Sequence, residues 1–215
     1  MHYTSVLFDL DGTLLDTLGD LTAAMNRTLT RHGLPERTRQ QMRAALGNGA
    51  RRLMELSVPA GTDGALFETL LAEYNADYAA HCRIETAPYP GVDALLRQLH
   101  AQGRKLAIVS NKPDEAVRAL RAEFFADTVP IAVGEKQGIR RKPAPDTLLT
   151  AMVQLGAERT STVYVGDSEV DIATARAAGL PCISVLWGFR DRDVLERAGA
   201  QQFAADIAQL QALLG

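Results

Sequence analysis

Short apolar segments rich in β-branched residues alternate with helical patterns along most of this chain, and this alternation constrains the fold more than any other feature. Strand-like segments lie at residues 3–8, 105–110, 162–167 and 181–186, with a weaker one at residues 128–133. Helical patterns lie at residues 91–102, 113–123, 145–155, 169–178 and 206–214. Buried strands that alternate with helices are typical of a parallel sheet with crossover helices. The sequence therefore predicts an α/β fold.

Residues 16–85 interrupt the alternation, because they contain no convincing strand pattern. Apolar side chains recur there at helical spacing. They form two stripes: Leu18, Leu21, Met25 and Leu29, and Phe67, Leu70, Leu71, Tyr74 and Tyr78. We expect both stripes to form the core of a helical bundle. Residues 16–85 are thus predicted to be a small all-helical domain inserted into a core built from residues 1–15 and 86–215.

Composition and charge limit the classes of partner. The 215 residues carry a net charge of −3, which argues against the basic face that nucleic-acid-binding proteins use to neutralise phosphates. Cys82 and Cys182 lie far apart without metal-ligand spacing, so neither a zinc site nor a disulfide framework is predicted. The apolar runs at residues 6–8 and 180–189 are too short for a signal peptide or a membrane span. We therefore expect a cytoplasmic protein with no nucleic-acid or membrane partner.

Two aspartates follow the first predicted strand. Asp9 and Asp11 are two positions apart, so their side chains start on the same side, about 6 to 7 Å from each other. A simple turn and a helix cap would explain the pair equally well. However, Ser110 and Asp167 end two other predicted strands, and parallel α/β sheets place their sites at the carboxyl ends of the strands. These side chains are therefore predicted to share one crevice.

A second acidic pair points to a metal ion. Asp171 follows Asp167 by one helical turn, so both can face the same ion, although Asp167 or Ser168 could also cap the helix. Four carboxylates cannot accept a phosphate without a cation, because unit charges 4 Å apart interact by about 4 kcal/mol at an effective dielectric constant of 20. Oxygen ligands without histidine or cysteine favour Mg²⁺ over zinc. The candidate metal ligands are Asp9, Asp11, Asp167 and Asp171.

Three further residues are candidates for binding a phosphoryl group. Lys142 precedes the helical pattern that begins near Pro145, and a cation there would keep Asp9 ionised and offset charge on the phosphoryl group. An ordinary surface lysine is the alternative. Ser110 and Asn111 could donate hydrogen bonds to a phosphate oxygen, although both residue types also make turns at strand ends.

The ordered set of these motifs resembles the haloacid dehalogenase superfamily. The set consists of residues 9–16 from Asp9 to Asp16, then Ser110, Lys142 with Pro143, and residues 166–171. The resemblance covers the whole chain. It implies a Rossmann-like three-layer core with a parallel sheet, and it identifies the helical insert with the small C1 cap of that superfamily.

The resemblance also implies a role for each motif residue. Asp9 would attack phosphorus and bind Mg²⁺, while Asp11 would protonate the leaving oxygen, later activate water, and offer its backbone carbonyl to the metal. Ser110 and Lys142 would bind the phosphoryl group. Asp167 would hold Mg²⁺, and Asp171 would act through water or orient Asp167 and Lys142.

The same resemblance narrows the activity. Members that cleave carbon–halogen bonds lack the second aspartate, so Asp11 favours phosphoryl transfer. Residues 111–113 and 185–189 resemble the corresponding segments of phosphoglycolate phosphatase and its relatives. Trp187, in the second segment, is expected to be a packing or rim residue. We therefore expect an Mg²⁺-dependent phosphatase for a small phosphorylated metabolite, acting as a monomer or homodimer.

Substrate choice and reaction outcome stay open at this point. The cap connection at residues 47–52 is the candidate substrate contact through Gly47, Asn48 and Arg51, because it offers backbone amides beside a helix start and nearby guanidinium groups. A simple bundle connection is equally compatible. The alternative activities are a β-phosphoglucomutase, a pyrophosphatase, a nucleotidase and a sugar phosphatase. A phosphorylated signalling domain of the receiver type is the alternative from another class.

Overall fold

The computed structural model describes residues 3–215 and divides the chain into two compact units. The larger unit, called the core here, combines the residues up to Leu15 with Pro88–Gly215. The smaller unit, called the cap, is Asp16–Ala87. The chain passes between the units after residues 15 and 87, compared with residues 15 and 85 in the sequence-based division.

The core contains a six-stranded sheet in the order β5-β4-β1-β6-β7-β8. The strands are β1 Ser5–Phe8, β2 Leu15–Asp16, β3 Ala87–Pro88, β4 Lys105–Pro113, β5 Ile131–Glu135, β6 Thr162–Gly166, β7 Cys182–Val185 and β8 Gln202–Ala204. Neighbouring strands of the six-stranded sheet pair in parallel. The short strands β2 and β3 lie where the chain passes between the two units. The predicted parallel sheet is confirmed.

Helices flank the sheet and build the cap. Those of the cap are α1 Leu18–Arg31, α2 Arg39–Ala45, α3 Gly49–Ser57 and α4 Gly64–His81. Those of the core are α5 Val92–Ala101, α6 Asp114–Phe124, α7 Asp146–Leu155, α8 Glu169–Ala178, α9 Arg192–Arg197 and α10 Ile207–Leu214. The Rossmann-like α/β core expected from the sequence is confirmed, and helices α1 to α4 lie in the smaller unit. No helix within residues 3–215 has the length and apolarity needed to cross a membrane.

Some elements differ from the sequence prediction. The weak fifth strand begins at Ile131 instead of residue 128, and β4 continues three residues past Ser110. Strand β8 and helix α9 were not predicted, because three and six residues are too few to display a periodic pattern. Strand β8 is held by parallel pairing with β7, which is a tertiary contact.

The position of β1 explains why it is so apolar. It pairs with β4 on one side and β6 on the other, and its four residues are buried. On one face of the sheet, Leu7, Val109 and Tyr164 pack with side chains of α7 and α8. Each fully buried aliphatic side chain of this kind stabilises the fold by about 1.5–3 kcal/mol. This packing fixes the sheet whose carboxyl edge carries the candidate site.

The cap is organised around α1 and α4. Leu21, Met25, Leu29, Leu70, Tyr74 and Tyr78 from the two predicted stripes are buried, whereas Leu18, Phe67 and Leu71 are half-buried. Between the helices, the buried Asp77 accepts hydrogen bonds from Arg27 and Arg31. Asp20 in the first turn of α1 is also buried, and it accepts from the backbone N–H groups of Ile84, Glu85 and Thr86 at 2.9–3.0 Å. The two ends of the cap are therefore joined through one carboxylate.

Candidate active site

A tight turn at the end of β1 places Asp9 and Asp11. The backbone N–H of Asp9 donates to the carbonyl of Val165 at 2.8 Å, which continues the pairing of β1 with β6. The carbonyl of Leu10 then accepts from the N–H groups of residues 13 to 15 and closes the turn. Gly12 has φ +82°, and a Cβ on it would lie 2.4 Å from Oδ2 of Asp167. Glycine is thus required both by the backbone conformation and by the approach of Asp167.

Three carboxylates meet at the carboxyl edge of the sheet. Ligand oxygens of Asp9, Asp167 and Asp171 all lie within 4.8 Å of one another, and the three residues are buried. Burial, followed by the charge of Asp171, raises the pKa of Asp9 well above its usual value. Burial and Asp171 likewise raise the pKa of Asp167 to about 7. A cluster that resists ionisation in this way has the donor chemistry to hold a hard divalent cation.

Lys142 supplies positive charge to this cluster. Its Nζ lies 2.8 Å from Oδ1 of Asp9, 2.8 Å from Oδ1 of Asp171 and 3.0 Å from the hydroxyl of Tyr164. Its side chain is 2% exposed. Burial acts to lower the pKa of Lys142, but the carboxylates of Asp171 and Asp9 outweigh burial and raise it. The ammonium is therefore held charged between the two aspartates, and the alternative of a surface lysine is wrong.

Asp171 uses both of its carboxylate oxygens within the protein. Oδ1 accepts from Lys142 and from the hydroxyl of Tyr164 at 2.8 Å each. Oδ2 accepts from the backbone N–H and the hydroxyl of Ser168, at 3.1 and 2.6 Å, as part of a capping box at the start of α8. Burial acts to raise the pKa of Asp171, but Lys142 and these hydrogen bonds lower it overall. Because a carboxylate has about four acceptor positions, these contacts saturate it.

Asp167 is fixed by the turn after β1 and by the segment after β7. Its Oδ2 accepts from the backbone N–H of Phe189 at 2.7 Å, and its Oδ1 accepts from the hydroxyl of Thr13 at 3.3 Å. The indole N–H of Trp187 donates to the carbonyl of Thr13 at 3.0 Å and links the two segments. Each Asp167 oxygen keeps acceptor capacity for a metal ion. Trp187, treated from the sequence as a packing or rim residue, thus supports an acidic residue of the cluster through Thr13.

Ser110 and Asn111 lie beside the cluster but have different surroundings. Oγ of Ser110 accepts from the backbone N–H of Lys112 at 3.2 Å, so its own proton is available for donation. The side-chain amide of Asn111 accepts from the backbone N–H of Lys142 at 2.7 Å and donates to the carbonyl of Lys142 at 3.0 Å. Asn111 therefore anchors the backbone of the lysine loop, a role not anticipated when it was considered as a phosphate donor.

Asp11 is accompanied by a cation that was not among the sequence candidates. Nζ of Lys112 lies 3.2 Å from Oδ1 of Asp11. The lysine side chain is 5% exposed, and the aspartate side chain is 20% exposed. Each member of the Asp9/Asp11 pair thus has its own lysine. The sequence analysis noted that residues 111–113 resemble known phosphatases. It did not predict that the side chain of Lys112 would contact Asp11.

The cap candidates cluster at the connection between α2 and α3. Asn48 precedes the first residue of α3, and Gly47 has φ +109°. Arg51 forms a two-pronged ion pair with Glu68, with both N···O distances 2.8 Å, and its guanidinium lies 5.3 Å from the ring centre of Phe67. The guanidinium of Arg51 is therefore paired within the cap, at a largely exposed position.

Together, the sheet edge and its side chains define an α/β protein with a buried cluster of carboxylates, joined by a buried lysine, at the carboxyl ends of parallel strands. The model of the haloacid dehalogenase-like hydrolase family matches residues 6–185. The chain belongs to this family.

Comparisons with individual proteins agree. The chain is 37% identical over 187 residues to a phosphoglycolate phosphatase of Xanthomonas campestris pv. campestris, covering 86% of this chain and 84% of the relative. It is 32% identical to an N-acetylmuramic acid 6-phosphate phosphatase of Pseudomonas aeruginosa, covering 88% and 84%. A crystal structure of a candidate phosphoglycolate phosphatase from Lactobacillus delbrueckii subsp. bulgaricus superposes with a TM-score of 0.94 at 36% identity, covering 100% and 99%.

Proposed function

We propose that this chain is an Mg²⁺-dependent phosphatase that hydrolyses a small phosphate monoester through an aspartyl phosphate on Asp9, most closely resembling phosphoglycolate phosphatase. The observation that carries the proposal is the placement of Asp9, whose carboxylate is held 2.8 Å from a buried lysine and lies within 4.8 Å of carboxylate oxygens of Asp167 and Asp171. Such an arrangement supports a carboxylate nucleophile with charge compensation already in place.

The first half-reaction forms the aspartyl phosphate. An oxygen of Asp9 attacks phosphorus, the bond from phosphorus to the leaving oxygen breaks, and Asp11 gives its proton to that oxygen. Lys142 lowers the pKa of Asp9 against the opposing effects of burial and Asp171 and so favours the ionised nucleophile, and the hydroxyl of Ser110 donates to a phosphoryl oxygen. In the second half-reaction Asp11 takes a proton from water, the water oxygen attacks phosphorus, and Asp9 is released with inorganic phosphate. Dividing hydrolysis in this way replaces one difficult step with two easier ones.

The acidic cluster fits a magnesium ion in its donor chemistry. The side chains of Asp9 and Asp167, with the backbone carbonyl of Asp11, would hold it, and when bound it supplies positive charge that offsets the phosphoryl oxygens. We assign Asp171 to positioning Lys142 instead of to binding the metal. Its carboxylate accepts four hydrogen bonds, which leave little acceptor capacity for an ion.

Relatives named phosphoglycolate phosphatase favour a small anionic substrate, and the cap residues Gly47, Asn48 and Arg51 remain our candidates for recognising it. A sugar phosphate is the second candidate substrate, because the relative from Pseudomonas aeruginosa is named for N-acetylmuramic acid 6-phosphate. Both cysteines, Cys82 and Cys182, are free thiols, which is compatible with the cytoplasmic setting we propose.

Phosphate release from a substrate panel tests this proposal. The panel contains 2-phosphoglycolate, N-acetylmuramic acid 6-phosphate, a hexose phosphate, a nucleoside monophosphate and pyrophosphate, each with Mg²⁺. We expect multiple turnovers on a monoester, complete loss with Asp9→Asn, and loss with EDTA that Mg²⁺ restores. Isomerisation of β-glucose 1-phosphate without phosphate release would instead indicate a mutase, and a single stable phosphorylation would indicate a receiver-like domain. Full activity of Asp9→Asn would eliminate the proposed mechanism.

Arg51 and Arg52 form a matched pair for testing the cap assignment. Both are exposed, and each pairs with a cap glutamate, Glu68 for Arg51 and Glu55 for Arg52. If Arg51 recognises the substrate, Arg51→Ala raises KM while Arg52→Ala leaves it unchanged. Equal KM values for both variants and the parent protein would remove Arg51 from the site.

A further inference from the structure

A bulge at the end of β4 determines where Lys112 lies. Val109 of β4 is paired with Val133 of β5, and the next pair is Pro113 with Glu135. Residues 110–112 of β4 therefore lie opposite the single residue Gly134. Bulges of this kind occur beside active sites, where they redirect a side chain.

The bulge is fixed by close packing against Gly134. The backbone N–H of Gly134 donates to Oδ1 of Asp114 at 2.9 Å. A Cβ on Gly134 would lie 2.7 Å from the carbonyl oxygen of Lys112 and 2.5 Å from Cα of Asp114. No side chain fits at this point without displacing backbone, so the two strands hold the backbone of Lys112 in one position.

The redirected lysine side chain is buried and points to Asp11. Burying an ammonium costs free energy unless the charge is paired, and the 3.2 Å contact with Asp11 supplies a partner for Lys112. Asp11 keeps one-fifth of its side-chain surface exposed, so water can reach the carboxylate. A carboxylate that is held by a lysine and reached by water is placed to remove a proton from water.

We propose that Lys112 is a positioning residue that orients Asp11 for breakdown of the aspartyl phosphate. In that step the water oxygen bonds to phosphorus, the water proton goes to Asp11, and the bond from phosphorus to Asp9 breaks with its electron pair returning to the Asp9 carboxylate. The proposal rests on the proposed phosphatase function. Without Lys112, Asp11 can rotate away from the attacking water, and misplacement by about 1 Å slows such a step by about 100-fold.

Lys112→Met tests this role, with p-nitrophenyl phosphate as substrate. This substrate has a good leaving group, so the first half-reaction depends little on proton donation. We expect kcat to fall about 10- to 100-fold while kcat/KM changes less than about threefold. Rapid mixing should then show a burst of p-nitrophenol equal to the enzyme concentration, followed by slow turnover. Lys112→Arg should restore much of kcat.

Lys136→Met is the matched control, because Lys136 follows β5 nearby and lies 3.9 Å from Asp114 on the surface. It should retain parental kinetics. If Lys112→Met does not fold, Asp114→Ala, which loosens the bulge, should show the same fall in kcat at constant kcat/KM. The positioning role would be overturned if the variant that folds lost kcat and kcat/KM equally and released no burst of p-nitrophenol. A parent protein that hydrolyses no phosphate ester would instead overturn the proposed function itself.

Discussion

The hydroxyl of Tyr164 donates a hydrogen bond to Oδ1 of Asp171 at 2.8 Å, inside the sheet and below the candidate site. The same hydroxyl accepts from Lys142 at 3.0 Å. The three N–H bonds of the lysine ammonium are therefore matched by three oxygens, on Asp9, Asp171 and Tyr164. The direction of Lys142 is determined by this buried network as well as by charge.

Tyr164→Phe should weaken catalysis without abolishing it. The substitution removes one acceptor from Lys142 and one donor from Asp171, so we expect kcat to fall about 5- to 10-fold and stability to fall by about 1–2 kcal/mol. Steady-state kinetics and urea unfolding measure the two effects. Tyr3→Phe is the control, because Tyr3 is buried near the opposite end of β1, and its kcat should match that of the parent. An unchanged kcat in Tyr164→Phe would show that Asp9 and Asp171 alone orient the lysine.

Gly188→Ala should weaken metal binding. A Cβ at this position would lie 2.4 Å from both Cβ of Asp167 and the carbonyl oxygen of Gly12, so Asp167 has to move. Displacement of a metal ligand or its support typically costs about 10- to 100-fold in metal affinity. The Mg²⁺ concentration that gives half-maximal activity should rise by that factor. Gly64→Ala, where the added Cβ meets no atom within 4 Å, should leave it unchanged. Equal Mg²⁺ requirements in both variants would contradict the assignment of Asp167.

Asp20→Ala should loosen the point where the chain leaves the cap. The substitution removes the acceptor of three backbone N–H groups, of which that of Thr86 is buried and the other two are part-buried. An unsatisfied buried group costs about 1–3 kcal/mol, so a total loss of about 2–3 kcal/mol is expected. Hydrogen exchange should show reduced protection of the amides of residues 84–86. Asp63→Ala removes an exposed helix cap from α4 and should cost about 1 kcal/mol. Similar losses in the two variants would mean that the Asp20 contacts contribute little.

The raised pKa of Asp167 predicts how stability depends on pH. A carboxyl group whose pKa is raised on folding, here by burial and by Asp171 to about 7, stabilises the fold at low pH, and this contribution disappears as pH rises through about 7. The metal-free protein should therefore lose thermal stability between pH 5 and pH 8. Because Mg²⁺ binds the ionised carboxylates, it should raise Tm more at pH 8 than at pH 5. Melting curves with Mg²⁺ and with EDTA test this, and equal shifts at both pH values would contradict it.

The sequence allowed the site to be outlined because Asp9 and Asp167 directly follow buried strands and Ser110 lies in the last part of another, and parallel strand ends converge. It did not predict Tyr164, because a tyrosine inside an apolar strand resembles any core residue until the position of Lys142 is known. Lys112 was missed for a related reason. The bulge in β4 changes the direction of its side chain, and the bulge depends on pairing with Gly134, more than twenty residues away. The sequence analysis considered Asn111 only as a phosphate donor. Its hydrogen bonds to the Lys142 backbone were not predicted, because they join segments that are distant in sequence.

The central position of β1 has a consequence for biosynthesis. The strand that carries Asp9 is synthesised before its two neighbours in the sheet, which lie about 100 and about 160 residues further along the chain. Pairings between such distant segments form slowly, whereas the contacting helices of the cap lie closer together along the chain. On the ribosome, β1 therefore stays unpaired until both neighbouring strands have emerged. An apolar strand that stays unpaired during synthesis is prone to aggregation, and this follows from building the reactive centre at the middle of the sheet.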